Sequence, residues 1–205
     1  MCDWWSRRGS VAGPAEFEGP CRLCFTDHDA ILVSDSDNNR VQQLNVACEY
    51  LSSFIVQEPC SIALHGDMVA VGTYGGPIEI HSLATGELIR RFGSRGDCPG
   101  QIGICVTGIR FTPDGSCLLV AEHFSRRLSL FTVDGVFMKH FGAGTGILGI
   151  RWNDVLFGAC GEILVADRDN DRIFVFSPDD HILIKTWGSK GTAAGEFEFP
   201  KALAV

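Results

Sequence analysis

The chain has 205 residues, 45% of them hydrophobic and 20% charged, with a formal net charge of −8. This is ordinary globular composition, long enough for one domain with its own core and unlike a disordered chain. The acidic balance argues against DNA or an anionic membrane as partner, because both repel it at long range.

No apolar run is long enough to span a bilayer. The opening "MCDWWSRRGS" lacks the apolar core of a signal peptide, so a cytoplasmic protein is expected. The nine cysteines are odd in number and irregular in spacing, as in a reduced, intracellular chain. Cys21 and Cys24 form a C-x-x-C pair. On a strand, residues three apart face opposite ways, and no second such pair exists to complete a zinc site, so both are read as ordinary strand residues.

Four segments align along the chain: "AILVSDSDNNRVQQL" (30–44), "MVAVGTYGGPIEIH" (68–81), "LLVAEHFSRRLSLF" (118–131) and "ILVADRDNDRIFVF" (163–176). Each is an apolar run, a polar turn and an alternating run. The turns align as Asp35 to Arg40, Gly72 to Pro77, Glu122 to Arg127 and Asp167 to Arg172. An aromatic residue before glycine closes three units, at Gly93, Gly142 and Gly188.

The last full unit predicts strands near 153–157, 162–166, 171–177 and 182–187, with turns at "ACGE", "DRDND" and "SPDDH". The innermost strands are read as "CRLCF", "CSIAL", "GIRF" and "KALAV". No unit carries an amphipathic helical stripe. Four short antiparallel strands, recurring about every 45 residues, describe a blade of a β-propeller.

One stretch suggests a different reading. "HFGAGTGILG" (140–149) brings Gly142, Gly144, Gly146 and Gly149 together, as a phosphate-binding loop does. Such a loop needs a strand before it and a helix after it. The residues after it, "IRWNDVLFGACGEILVAD", are alternating and turn-rich, so the run is read as the connector between units three and four.

These units resemble NHL repeats. The resemblance rests on an apolar strand ending in Asp, an Asn-x-Arg turn, an apolar third strand and a closing aromatic-Gly. "ILVSDSDNNRVQQL" and "ILVADRDNDRIFVFSPDDHILIKTWG" carry it best. Unit two departs from it with Gly72 and Pro77, and unit three with Glu122, although Arg127 is kept. The fold class expected is all-β: a partial propeller of NHL-like four-stranded blades. The blades fall near 9–54, 55–92, 93–141 and 142–187, and 188–205 starts another. NHL-like propellers have about six blades, so further sequence is expected after Val205.

Asp35, Arg40, Arg127, Asp167 and Arg172 recur from unit to unit and are therefore read as structural, satisfying their own turns and bracing neighbours. The loops at the central mouth offer Asp37, Asn39, Tyr74, His123, Phe124, Arg126, Arg168 and Asp169 as candidate partner-binding residues. Most of the six histidines are read as turn or strand-end residues, and no nucleophile elbow, H-E-x-x-H or Walker loop is present. No cofactor, metal or catalytic residue is assigned. Arg95-Gly96-Asp97 is read as connector, not as an adhesion signal.

The resemblance implies three functions. The first is a non-catalytic protein-interaction scaffold, which needs no special residue. The second is binding of single-stranded RNA, supported by Phe124 and Arg126 in one loop and opposed by the acidic turns "DSDNN" and "DRDND". The third is a metal-dependent lyase or lactonase.

Overall fold

The computed structural model describes residues 13–27, 29–142 and 154–204. Trp4 and Trp5, His28 and most of the Gly-rich run lie outside these residues. Among the described residues, sixteen strands form four separate antiparallel sheets, each a four-stranded meander in chain order. Blade one is β1 (Pro20–Phe25), β2 (Ala30–Asp35), β3 (Arg40–Asn45) and β4 (Tyr50–Ile55). Blade two is β5 (Pro59–His65), β6 (Met68–Thr73), β7 (Ile78–Ser82) and β8 (Leu88–Phe92). Blade three is β9 (Val106–Phe111), β10 (Cys117–Glu122), β11 (Arg127–Thr132) and β12 (Phe137–Phe141). Blade four is β13 (Asp154–Phe157), β14 (Ile163–Asp167), β15 (Arg172–Phe176) and β16 (Leu183–Trp187).

The alternation read from the sequence places the core. Both faces of the middle strands are apolar because each inner blade packs on two neighbours. Leu32, Val41, Val56, Ile62, Val69 and Val71 fill the space between blades one and two. Ile78, Ile80, Val106, Ile109, Val120 and Phe131 fill the next, and Leu119, Leu128, Val155, Val165 and Phe174 the last. The inner strands stand side by side in the order β1, β5, β9, β13. Among the described residues there is no helix long and apolar enough to cross a membrane.

The closing glycines have a steric cause. Gly93 and Gly188 adopt φ of 77° and 84°, where a side chain is disfavoured. A Cβ at either would overlap the side chain of Ile102 or Phe197, which the next connector lays over it. Those connectors share one geometry, shown by parallel bridges from Arg95 to Ile102 and from Lys190 to Phe197.

The folded chain differs from the sequence pattern at two places. In blade two the residue facing Pro59 at the end of β6 is Thr73, as Asp35 faces Pro20 in blade one. Thr73, not Gly72, is therefore the counterpart of Asp35, and Pro77 returns its carbonyl to the Thr73 hydroxyl at 2.8 Å. The second turn is one residue shorter than the others, which hid the register. The segment 200–204, read as an inner strand, has no strand pairing. Leu203 N donates to Asp154 Oδ2 at 3.1 Å, which places the segment beside β13.

Candidate functional site

The turns after β2, β6, β10 and β14 share one rim with the connectors between blades. Each turn is an anchor for chain before and after it. In blade one, Arg40 Nε donates to Asp35 Oδ2 at 2.8 Å, and both side chains are buried. Asp35 Oδ1 accepts from Glu18 N at 2.7 Å, while Arg40 Nη2 donates to the carbonyls of Gly13 and Glu16. Gln42 adds a bond to the Glu16 carbonyl at 2.7 Å. Blade three repeats the device. Arg127 Nε donates to Glu122 Oε2 at 3.1 Å, Glu122 accepts from Gly103 N at 2.8 Å, and Arg127 reaches the carbonyls of Asp97 and Gln101. Charge-assisted bonds of this kind hold an otherwise irregular connector without a sheet ladder.

The fourth turn residue looks forward instead. Asn39, Arg126 and Asp171 adopt φ of 54°, 48° and 53°. Asn39 Oδ1 accepts from Glu58 N at 2.9 Å, and Asp171 Oδ1 from Phe199 N at 2.8 Å. Asn39, a candidate for partner binding, is thus engaged with the next connector. In blade four Asn170 Nδ2 donates to Asp167 Oδ2 at 2.7 Å. Arg172 lies over the Phe174 ring, and Arg168 over the Phe199 ring at 5.3 Å.

Blade two has neither acid nor arginine at the turn. Its acid is Glu79 on β7, two residues past Pro77, where blade one has Gln42 and blade three Ser129. Glu79 is buried and binds His81 Nε2 at 2.9 Å and the Arg91 guanidinium from β8. Burial pushes the Glu79 carboxyl up, but hydrogen bonds from His81 and Arg91 outweigh it and hold it below its ordinary value. His81, near the end of β7, is buried, with Nδ1 against the Gly86 carbonyl at 3.0 Å. His140, on β12, likewise meets Ser129 Oγ at 2.7 Å. Glu79 and His81 share one face of β7, whereas Glu79–Arg91 and Ser129–His140 depend on cross-strand register and were not visible in the sequence.

Of the other mouth candidates, Asp37, Phe124, Arg126 and Asp169 are exposed. Tyr74 and Phe124 are 39% and 49% exposed, and the Phe124 ring lies 4.3 Å from that of His123. Asp97 accepts from Ser125 Oγ at 2.7 Å, so the Arg-Gly-Asp run is tied into its connector.

A group of thiols at the inner edge of this rim escaped the reading of the sequence. Cys21 and Cys60 occupy matching bulges at the starts of β1 and β5. Their Sγ atoms donate to the carbonyls two residues back, Gly19 at 3.5 Å and Glu58 at 3.4 Å. Cys105, buried just before β9, neighbours Cys60, and its carbonyl accepts from His123 N at 3.0 Å. Hydrogen bonding from Cys60, helped by His123 and Arg22, outweighs burial and lowers the Cys105 thiol to about 6. The same contact, with burial, pushes the Cys60 thiol up. Cys24 sits on the other face of β1, where burial raises it to about 12. The repeat of Pro-Cys at 20–21 and 59–60 was the available sequence signal.

At the far ends of the inner strands lies a groove of about 350 Å³, lined by Leu23, Phe25, Leu64, His65, Arg110 and Phe111.

No family model matches the chain, and no curated protein matches it in sequence. Among solved structures, hydrazine synthase of Kuenenia stuttgartiensis, a protein containing a β-propeller, is similar with a TM-score of 0.68 and 13% identity. The match covers 87% of this chain and 52% of that one, so the chain spans about half the length of that structure. At such identity the likeness shows the fold alone: an all-β array of propeller blades.

Proposed function

We propose that this chain is an NHL-like propeller scaffold that binds a protein partner through its connector rim. The observation that carries the reading is a division of labour on that rim. Asp35, Arg40, Glu122, Arg127 and Asn39 are engaged in holding connectors, while Tyr74 and Phe124 stand exposed between them. Aromatic side chains on a rigid frame, ringed by polar groups, suit the centre of a protein interface. Eight free cysteines among the described residues support a reducing, intracellular setting.

The test is quantitative affinity enrichment from cell extract, with wild type against a Tyr74→Ala/Phe124→Ala variant. A defined protein set should fall at least tenfold with the variant and bind wild type directly when purified. Equal recovery by both proteins would overturn the reading.

RNA is the second reading, because Phe124 and Arg126 sit exposed in one four-residue turn. Titration with labelled single-stranded RNA at rising salt decides it. Tight binding that weakens steeply with salt would replace the protein partner with RNA. The metal-dependent reading has no group to build on among the described residues, where no cluster of three His, Cys, Asp or Glu could hold an ion.

A further inference from the structure

The turn after β6 is stitched to two connectors at once. Tyr74 N donates to the Glu58 carbonyl at 2.9 Å, and Gly75 N donates to that of Ile104. Tyr74 also pairs with Cys105 as an antiparallel bridge. This brings the residues before Cys60 and Cys105 to the same two residues. The chain on their other side is equally close. Gly72 lies between Ser61 and Val106, and a Cβ there would come within 2.5 Å of Ser61 Oγ and overlap Val106. Glycine thus lets β5 and β9 approach, which sets Cys60 and Cys105, the residues next to Ser61 and Val106, beside each other across the blade boundary. On the far side, His123 N holds the Cys105 carbonyl at 3.0 Å, and His123 Nε2 is buried with no hydrogen-bond partner.

We propose that Cys60 and Cys105 are a peroxide-reactive thiol pair that closes reversibly into a disulfide joining blades two and three. Cys105 is the attacking sulfur and Cys60 the resolving one. The Cys105 thiolate attacks the O–O bond of hydrogen peroxide. An S–O bond forms, the O–O bond breaks, and the departing hydroxide takes a proton to leave as water. The Cys60 sulfur then gives up its proton and attacks the resulting sulfenic acid. An S–S bond forms, the S–O bond breaks, and a second water leaves. Two thiols lose two electrons, and one peroxide becomes two waters. Two equivalents of a small thiol reverse the step through a mixed disulfide. The low value of the Cys105 thiol supports its role as attacker, because the thiolate is the nucleophile. The thiol pair is independent of the scaffold reading and stands or falls apart from it.

The test treats the unmodified chain with stoichiometric hydrogen peroxide at pH 7, alkylates the remaining thiols and maps the peptides by mass spectrometry. A Cys60–Cys105 cross-link is expected, reversed by dithiothreitol, with exposed Cys48, Cys98 and Cys160 still alkylated. In Cys60→Ser, dimedone should trap Cys105 at least tenfold faster than Cys48. A cross-link from Cys21 to Cys60, or oxidation of Cys105 no faster than Cys48, would overturn the proposal. The mapping uses the natural chain, so it stands even where a variant fails to fold.

Discussion

Blades one and three solve the problem of their connectors in one way, and blade two in another. Asp35–Arg40 and Glu122–Arg127 are buried ion pairs at the turn itself, and each reaches back to bind backbone groups of the preceding connector. Blade two carries Thr73 and Pro77 there, and its buried acid, Glu79, lies one layer inward with His81 and Arg91. The difference tracks connector length. About thirteen residues of irregular chain precede β9 and need many anchors, whereas residues 56–58 bridge blades one and two directly. The short connector needs only Asn39 and Tyr74 to fix it. Freed from a clamp, the second turn loses a residue, and its neighbour Gly72 admits the close approach of β5 and β9.

The largest effect expected is from Glu122→Ala. It leaves Arg127 buried and unpaired and removes the acceptor of Gly103 N, so urea unfolding should show a loss of about 3–5 kcal/mol. Thr73→Ala should cost far less, and equal losses would break the contrast between the two kinds of turn. Gly72→Ala is expected to cost about 1–3 kcal/mol through overpacking against Ser61 and Val106. A smaller loss would mean that β5 and β9 part easily.

Glu79→Gln sharpens the comparison through pH. At neutral pH it should cost about 1–3 kcal/mol, the penalty for weakening a buried hydrogen-bonded charge. The folded carboxyl lies below its ordinary value of 4.5, so its contribution is complete above that pH and is lost as pH falls through the lowered folded value. The stability gap between wild type and variant should therefore narrow on acidification below 4.5. A gap that is flat across this range would place the ion pair outside the stability of blade two. The smallest effect is from Phe124→Ala, expected within about 0.5 kcal/mol in thermal or urea unfolding. A larger loss would mean that the exposed ring is part of the frame and not free for a partner.

The blade is legible in the sequence alone. Alternating apolar residues, with turn formers at regular intervals, leave a short meander as the way to bury them, and β13 to β16 lie within a residue or so of the strands read from pattern. The closing glycines are legible too, since their left-handed backbone recurs with the repeat. The site was less so. Arg40 and Asp35 announce each other because they share a turn. Glu79 and Arg91, Ser129 and His140, and Cys60 and Cys105 do not, since they come from different strands or blades. It took the folded chain to show that Thr73 replaces Gly72 in the alignment, that His81 is buried, and that two thiols meet beside His123. The physical reason is register: periodicity tells which face of a strand a residue takes, but not which neighbour arrives opposite it.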